Sequence, residues 1–231
     1  MKYVVLFLFF LTKLALSSEL EHGIKVVGNC KQRVKPDRVA VKFKVETLKN
    51  TVKDSAALAN SKYNKLLEEL KSLKLENVEF ETFEYTTSPY KVYENKKRVL
   101  KGFKTRIGLN VSTSETKKAG EILQVGSELG QDFIEGPNAY VSDEKIETYY
   151  EKCLVIASKD AQEKAEVVAK SLGVVLGKAF NVKEVTVSRP HYKSEFSKGM
   201  VMSDLASAAP AKIQFGKSDI KLQLEVYFTI N

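Results

Sequence analysis

The chain has 231 residues, 43% hydrophobic and 29% charged, an ordinary globular composition that suits one large domain or two small ones sharing a core. Its formal charge is +8, carried almost wholly by lysine, with arginine only at positions 33, 38, 98, 106 and 189. Arginine's planar fork is the usual tool for bases and phosphates, and the lysines here are interspersed with glutamates. The charge therefore reads as a solvated surface with no nucleic-acid partner, leaving mild attraction to anionic lipid or polysaccharide as the residual reading.

The first residues form a targeting segment. Met1 and Lys2 precede an apolar run from Tyr3 to Leu11, then Ala15, Leu16 and Ser17. The run is too short to span a bilayer comfortably, so residues 1–18 read as a secretory signal, with an uncleaved N-terminal anchor as the alternative. Removing Lys2 and Lys13 with it leaves 35 basic against 29 acidic residues, a net charge of +6. The mature domain is then 19–231, in an oxidising compartment. There Cys30 and Cys153 either form one disulfide between the first strand and the long helix or leave Cys153 as a buried free thiol.

Ile24–Gln32 reads as a strand and Pro36-Asp37 as a turn. Arg38–Leu48 alternates, with Val39, Val41, Phe43 and Val45 on one face and Lys42, Lys44 and Glu46 on the other. Thr51 and Asp54 resemble a capping box opening a helix to about Leu73, whose stripe is Val52, Ala56, Ala59, Tyr63, Leu66, Leu67, Leu70 and Leu73. Val78–Tyr93 and Leu100–Ser112 are two long strands joined by the charged turn Glu94–Arg98, and Pro89 requires an edge or a bulge.

A helix from about Ser114 to Leu129 ends at Gly130, and a short strand covers 132–140. Ser142 then caps a helix that runs to Gly173. Ile146, Tyr150, Cys153, Ala157, Ala161, Ala165, Val168 and Leu172 make its apolar stripe, while Lys159, Asp160, Glu163 and Lys164 lie on its charged face. The alanines suit close approach to a sheet. Phe180–Ser188 is a strand, 189–212 a flexible loop with apolar Phe196, Met200, Val201, Met202 and Leu205, and Lys217–Ile230 the last strand. The order ββαββαβαββ gives an α+β fold, antiparallel sheet or sheets with three helices packed on one side.

Little in this pattern carries chemistry. His22 and His191 lie far apart, and neither cysteine has a metal or redox spacing, so no metal site and no cofactor is expected. No nucleophile has a recognisable base, and no glycine pattern makes a phosphate loop. Among Glu79, Glu81 and Glu84, strand alternation puts 79 and 81 on one face and 84 on the other. The aromatics Tyr85, Tyr90, Tyr93, Phe103, Tyr149 and Tyr150 are candidates for a ligand platform or a subunit contact, against the blander alternative of core and edge packing.

The ordered set Ile24-x-Val26-x-Gly28, Pro36-Asp37-x-Val39-Ala40, Thr86-x-Ser88-Pro89-Tyr90, Gly102-Phe103 and Ser142-Asp143 resembles the SIMPL-domain family. So, most of all, does Ala157-x-x-Asp160-Ala161-x-x-Lys164-Ala165-x-x-x-Ala169-x-x-Leu172-Gly173-x-x-Leu176-Gly177. That family includes periplasmic oxidative-stress defence and Brucella antigen-like proteins; Cys30 departs from it, standing where relatives often have glycine. The resemblance implies a periplasmic protein without a defined catalytic activity. Such a protein acts as a large homo-oligomer, with peripheral envelope or outer-membrane contact and a role in oxidative-stress tolerance. The alternative is a binding module for a small ligand or envelope component, built on the aromatic hairpin.

Overall fold

The computed structural model describes residues 23–188 and 210–231; the expected signal, residues 1–18, and most of the expected loop 189–212 lie outside the described residues. β1 (Gly23–Val34) and β2 (Arg38–Lys49) are consecutive strands that enter different sheets. Between them, Pro36 supplies no N–H for a ladder, and Asp37 N–H turns to the carbonyl of Tyr140 at 3.1 Å.

The remaining elements are α1 (Val52–Ser72), β3 (Glu79–Glu94), β4 (Lys97–Thr113), α2 (Ala119–Glu128) and β5 (Phe133–Tyr140), then α3 (Asp143–Leu172), β6 (Leu176–Ser188) and β7 (Ser218–Ile230). A short 3-10 turn, Thr116–Lys118, precedes α2. One sheet has the order β1-β7-β6 and the other β3-β4-β2-β5, all pairs antiparallel. This is the expected α+β class, realised as two sheets, each with its own helical cover.

The four-stranded sheet buries Val41, Phe43, Leu109 and Val111 against Leu66 and Leu70 of α1 and Ile122 of α2. Thr51 caps α1 by accepting from Asp54 N–H at 3.1 Å. The stripe of α1 starts one turn later than expected, since Val52 is exposed and Ser55 is buried. Ser55 sits in a cluster of hydroxyls, with Thr105 donating to its Oγ at 2.9 Å and Thr47 donating to its carbonyl at 2.8 Å. Paired hydroxyls can occupy a core position that an isolated one could not.

On the three-stranded sheet, α3 lays Cys153, Ala157, Ala161, Ala165 and Ala169 over Ile220, Leu222, Leu224 and Val226 of β7 and Ile24 and Cys30 of β1. Val168 and Leu172, expected on this stripe, are exposed. The buried row repeats strictly every four residues, so it winds obliquely around the helix and reaches Ala169 in their place. A Cβ at Gly28 would land on the carbonyl of Ala157 and within 2.8 Å of Ala161 Cβ. The alanines and this glycine together set how closely helix and strand approach. Ser142 caps the helix start, accepting from Lys145 N–H at 3.4 Å, and Gly173 closes its end at φ +71°.

β3 and β4 form a long hairpin through a tighter turn than expected. Only Asn95 and Lys96 lie between the strands, at φ +47° and +64°, as a two-residue turn matched to strand twist requires. Pro89 lies on an edge strand, as its missing donor demands. A bulge between Thr82 and Glu84 shifts the register, so Glu79, Glu81 and Glu84 face Ser112, Asn110 and Gly108 in turn. All three glutamates therefore share the outer face, which corrects the expectation that Glu84 lies opposite. Strand alternation fails wherever an extra residue is inserted.

Candidate functional site

The aromatic residues singled out in the sequence fall into two groups on different sheets. Tyr85 reaches α1, its hydroxyl donating to Asn60 Oδ1 at 3.1 Å. Tyr90, opposite Gly102, carries the Lys104 ammonium 4.5 Å above its ring, and Phe103 sits opposite Pro89 and Lys49. Tyr93 is 72% exposed opposite Arg98, near the hairpin tip. Tyr149 and Tyr150 belong to α3: Lys152 lies over the first ring, and the second hydroxyl donates to Glu184 Oε2 of β6 at 2.6 Å. The structure does not bring the six rings together as one platform.

A denser grouping lies on the outer side of the four-stranded sheet, the face to which strand alternation assigns Lys42, Lys44 and Glu46. A shallow cleft of about 360 Å³ is lined by Lys44, Glu46, Arg106, Asp132 and Phe133. Phe83, folded across the bare backbone of Gly108, has Lys42 and Lys44 each 5.8 Å above its ring, and Lys44 also lies 5.4 Å from Phe133. Glu46 bridges Lys104 at 2.5 Å and Arg106 at 2.7 Å. Those two cations hold its carboxyl below the ordinary range, Lys104 more than Arg106. Glu84 meets Lys44 at 3.4 Å. The face thus sets aromatic rings beside paired charges, four cations against the carboxylates of Glu46, Glu84 and Asp132. The clue in the sequence was the alternation of Lys42, Lys44 and Glu46; the bulge that delivers Phe83 and Glu84 left none.

A third grouping is the seam between α3 and β1. Cys30 and Cys153 are joined, with an S–S distance of 2.07 Å, so neither is a free thiol. β1 is an edge strand, and two α3 side chains close part of its edge. Asp160 Oδ2 accepts from Asn29 N–H at 2.7 Å, and Lys164 Nζ donates to the Val27 carbonyl at 2.9 Å and to Asp160 at 2.6 Å. Lys164 first, then the Asn29 N–H, holds the Asp160 carboxyl below its ordinary value. At the start of α3, Asp37 takes the Ser142 N–H at 2.9 Å and the Ser142 hydroxyl at 2.7 Å, tying the β1–β2 corner to the helix cap.

Among the described residues, no helix is long and apolar enough to cross a membrane, and no group of three or more His, Cys, Asp or Glu is placed to hold a metal ion. The chain is similar to the 26 kDa periplasmic immunogenic proteins of Brucella melitensis biotype 1 and Brucella abortus strain S19. Each is 25% identical over 213 residues, covering 90% of this chain and 84% of the relative. The chain also matches the model of one family, SIMPL, described as a protein of unknown function (DUF541). With residues 24–228 matching it, the chain belongs to that family.

Proposed function

We propose that this is an exported, periplasmic SIMPL protein that acts without catalysis by assembling with copies of itself, in support of envelope integrity and tolerance to oxidative stress. Relatives described as periplasmic support the compartment. The observation that carries the assembly reading is the outer edge of β6. Among the described residues this 13-residue strand pairs only with β7; it contains no proline, and Phe180, Val182 and Val185 along it are exposed, Val182 at 57%. Leu172, the last residue of α3, and Val175, just before β6, are exposed as well. Asp160 and Lys164 close part of the other edge of the same sheet, whereas among the described residues nothing pairs with the outer edge of β6, which leaves it a template for another strand.

Light scattering on a sizing column tests the reading. The expected mass is a multiple of that of the exported chain, and Val182→Lys with Val185→Lys shifts it toward the protomer while the far-ultraviolet spectrum is unchanged. A monomeric parent protein sinks the proposal, and an assembly indifferent to both substitutions removes β6 from it.

A further inference from the structure

β3 and β4 outrun the rest of their sheet. The last β2 residue in the ladder, Lys49, lies opposite Phe103, so Tyr90 to Gly102 pair only with each other, from Tyr90–Gly102 to Glu94–Lys97. Five paired positions at about 3.4 Å each carry this two-stranded arm about 17 Å past the sheet. Its root is built in. Gly102 has φ +137°, a Cβ there would press on the Lys49 carbonyl at 2.5 Å, and a bulge between Tyr90 and Lys91 re-aims the strand.

A bare two-stranded hairpin is at best marginal in water, and this one is dressed for another environment. Tyr93 and Leu100 are exposed, and the register places Lys91 and Arg98 beside them on the same face. Residues 90–102 hold five basic side chains, Lys91, Lys96, Lys97, Arg98 and Lys101, against Glu94 alone. That is a net charge of +4, half the chain's total of +8 in 13 residues. Elsewhere many strand cations are matched: Arg38 by Glu79, Lys44 by Glu84, Lys104 and Arg106 by Glu46, Lys25 by Glu225. Strand lysines without a carboxylate partner among the described residues, such as Lys42 and Lys49, are scattered and not gathered as on the arm. On the arm, among the described residues, only Lys101 has a carboxylate partner, Glu94 at 2.8 Å.

We propose that this arm docks on the surface of an anionic phospholipid bilayer. Tyr93 and Leu100 enter the boundary between headgroups and acyl chains, where an amphipathic ring and an aliphatic side chain are both favoured. Lys91, Lys96, Lys97 and Arg98 meet the phosphates, their stems lying along the interface. A second copy of the chain brings its own net positive charge, which makes it a poorer match for this surface. The inference goes beyond self-assembly through β6 and does not depend on it.

The test is cosedimentation of the exported protein with vesicles of phosphatidylglycerol and phosphatidylcholine, against vesicles of phosphatidylcholine alone. A basic residue near an anionic surface is worth about a fivefold change in partition, so Lys96→Gln with Lys97→Gln and Arg98→Gln weakens binding by about a hundredfold. The chain lacks tryptophan, so Tyr93→Trp provides a single indole whose emission moves to the blue on anionic vesicles alone and stays unmoved when the triple substitution is added. Solution mass is measured on every variant and is expected to match the parent, which separates this result from any failure of the assembly reading. Failure of the parent to cosediment overturns the proposal, as does equal binding by the triple variant. So does a blue shift that follows protein concentration without vesicles, which would mean that another copy covers the arm.

Discussion

Gly28→Ala tests the packing that defines the smaller sheet. The added methyl meets the Ala157 carbonyl and, at 2.8 Å, Ala161 Cβ. A backbone carbonyl in mid-helix cannot swing aside as a side-chain end can, so α3 must lift from β1. A lift of 0.5–1 Å forfeits about a quarter to a half of the dispersion attraction at each contact along the seam. Overpacking a core costs about 1–3 kcal/mol, and a collision with backbone belongs near the upper figure. Alanine in place of glycine in a strand returns about 0.5–1 kcal/mol through the unfolded chain. The net expectation is a loss of about 2 kcal/mol, or about 4–8 °C in Tm for a domain of this size. Urea unfolding of the oxidised protein, followed by far-ultraviolet circular dichroism, measures it. Adding Ala161→Gly relieves only the lesser collision and costs about 1 kcal/mol of helix propensity, so the double variant is no more stable than the single. A Gly28→Ala protein as stable as its parent, or a double variant restored to parental stability, refutes the reasoning.

Replacing Cys30 and Cys153 together by serine removes a link spanning 123 residues. Loop-closure entropy puts the cost near 5 kcal/mol, read as a lower urea midpoint, and an unchanged midpoint in the variant contradicts it. Glu46 and Asp160 both have folded-state values below their ordinary 4.5 and 3.8. Their stabilising contributions are therefore complete above those values and lost as pH falls through the lower folded ones. The urea midpoint should decline below about pH 4.5, and Glu46→Gln with Asp160→Asn should flatten that decline; an equally steep variant curve argues against it. Asp37→Ala removes both acceptors of Ser142 and should cost about 1–2 kcal/mol, as should Ser142→Ala through the lost cap. Because they share one contact, the double variant should cost less than their sum, and strict additivity in thermal unfolding would show the two residues to be uncoupled.

How much of this was legible depended on whether the signal was local. Both helix caps, at Thr51 and Ser142, and the terminator Gly173 were readable because each acts within its own turn of chain. The strands alternate cleanly until a bulge intervenes, which is why alternation puts Glu84 on the wrong face and gives no sign of the Phe83–Lys42–Lys44 cluster. Division into two sheets was not readable, since it turns on pairings such as β1 with β7 that join opposite ends of the chain. Asp160 and Lys164 show the same limit from the other side. Helical periodicity puts them on the charged face of α3, but their partners are backbone groups of β1 more than 130 residues away.

That last assignment changes what the family pattern means. A motif of charged residues on a helix, Asp160-x-x-x-Lys164, invites a catalytic reading, yet here each charge meets an edge-strand backbone group that β7 leaves unpaired. Gly28 lies between Val27 and Asn29, the residues they hold, so the glycine, the alanine row and the ion pair form one device that sets α3 on β1 and blocks strand addition there. With β1 covered at Val27 and Asn29, β6 is the more open edge of the same sheet among the described residues, and that asymmetry gives any strand-mediated association a direction. Asp160→Ala with Lys164→Ala should then do more than weaken the seam. It exposes a second template, so the variant should gain mass with rising concentration where the parent holds a fixed value. Light scattering over a tenfold concentration range reads this directly. A variant that is merely less stable, with parental mass throughout, would mean that the two charges pin the helix without guarding the edge.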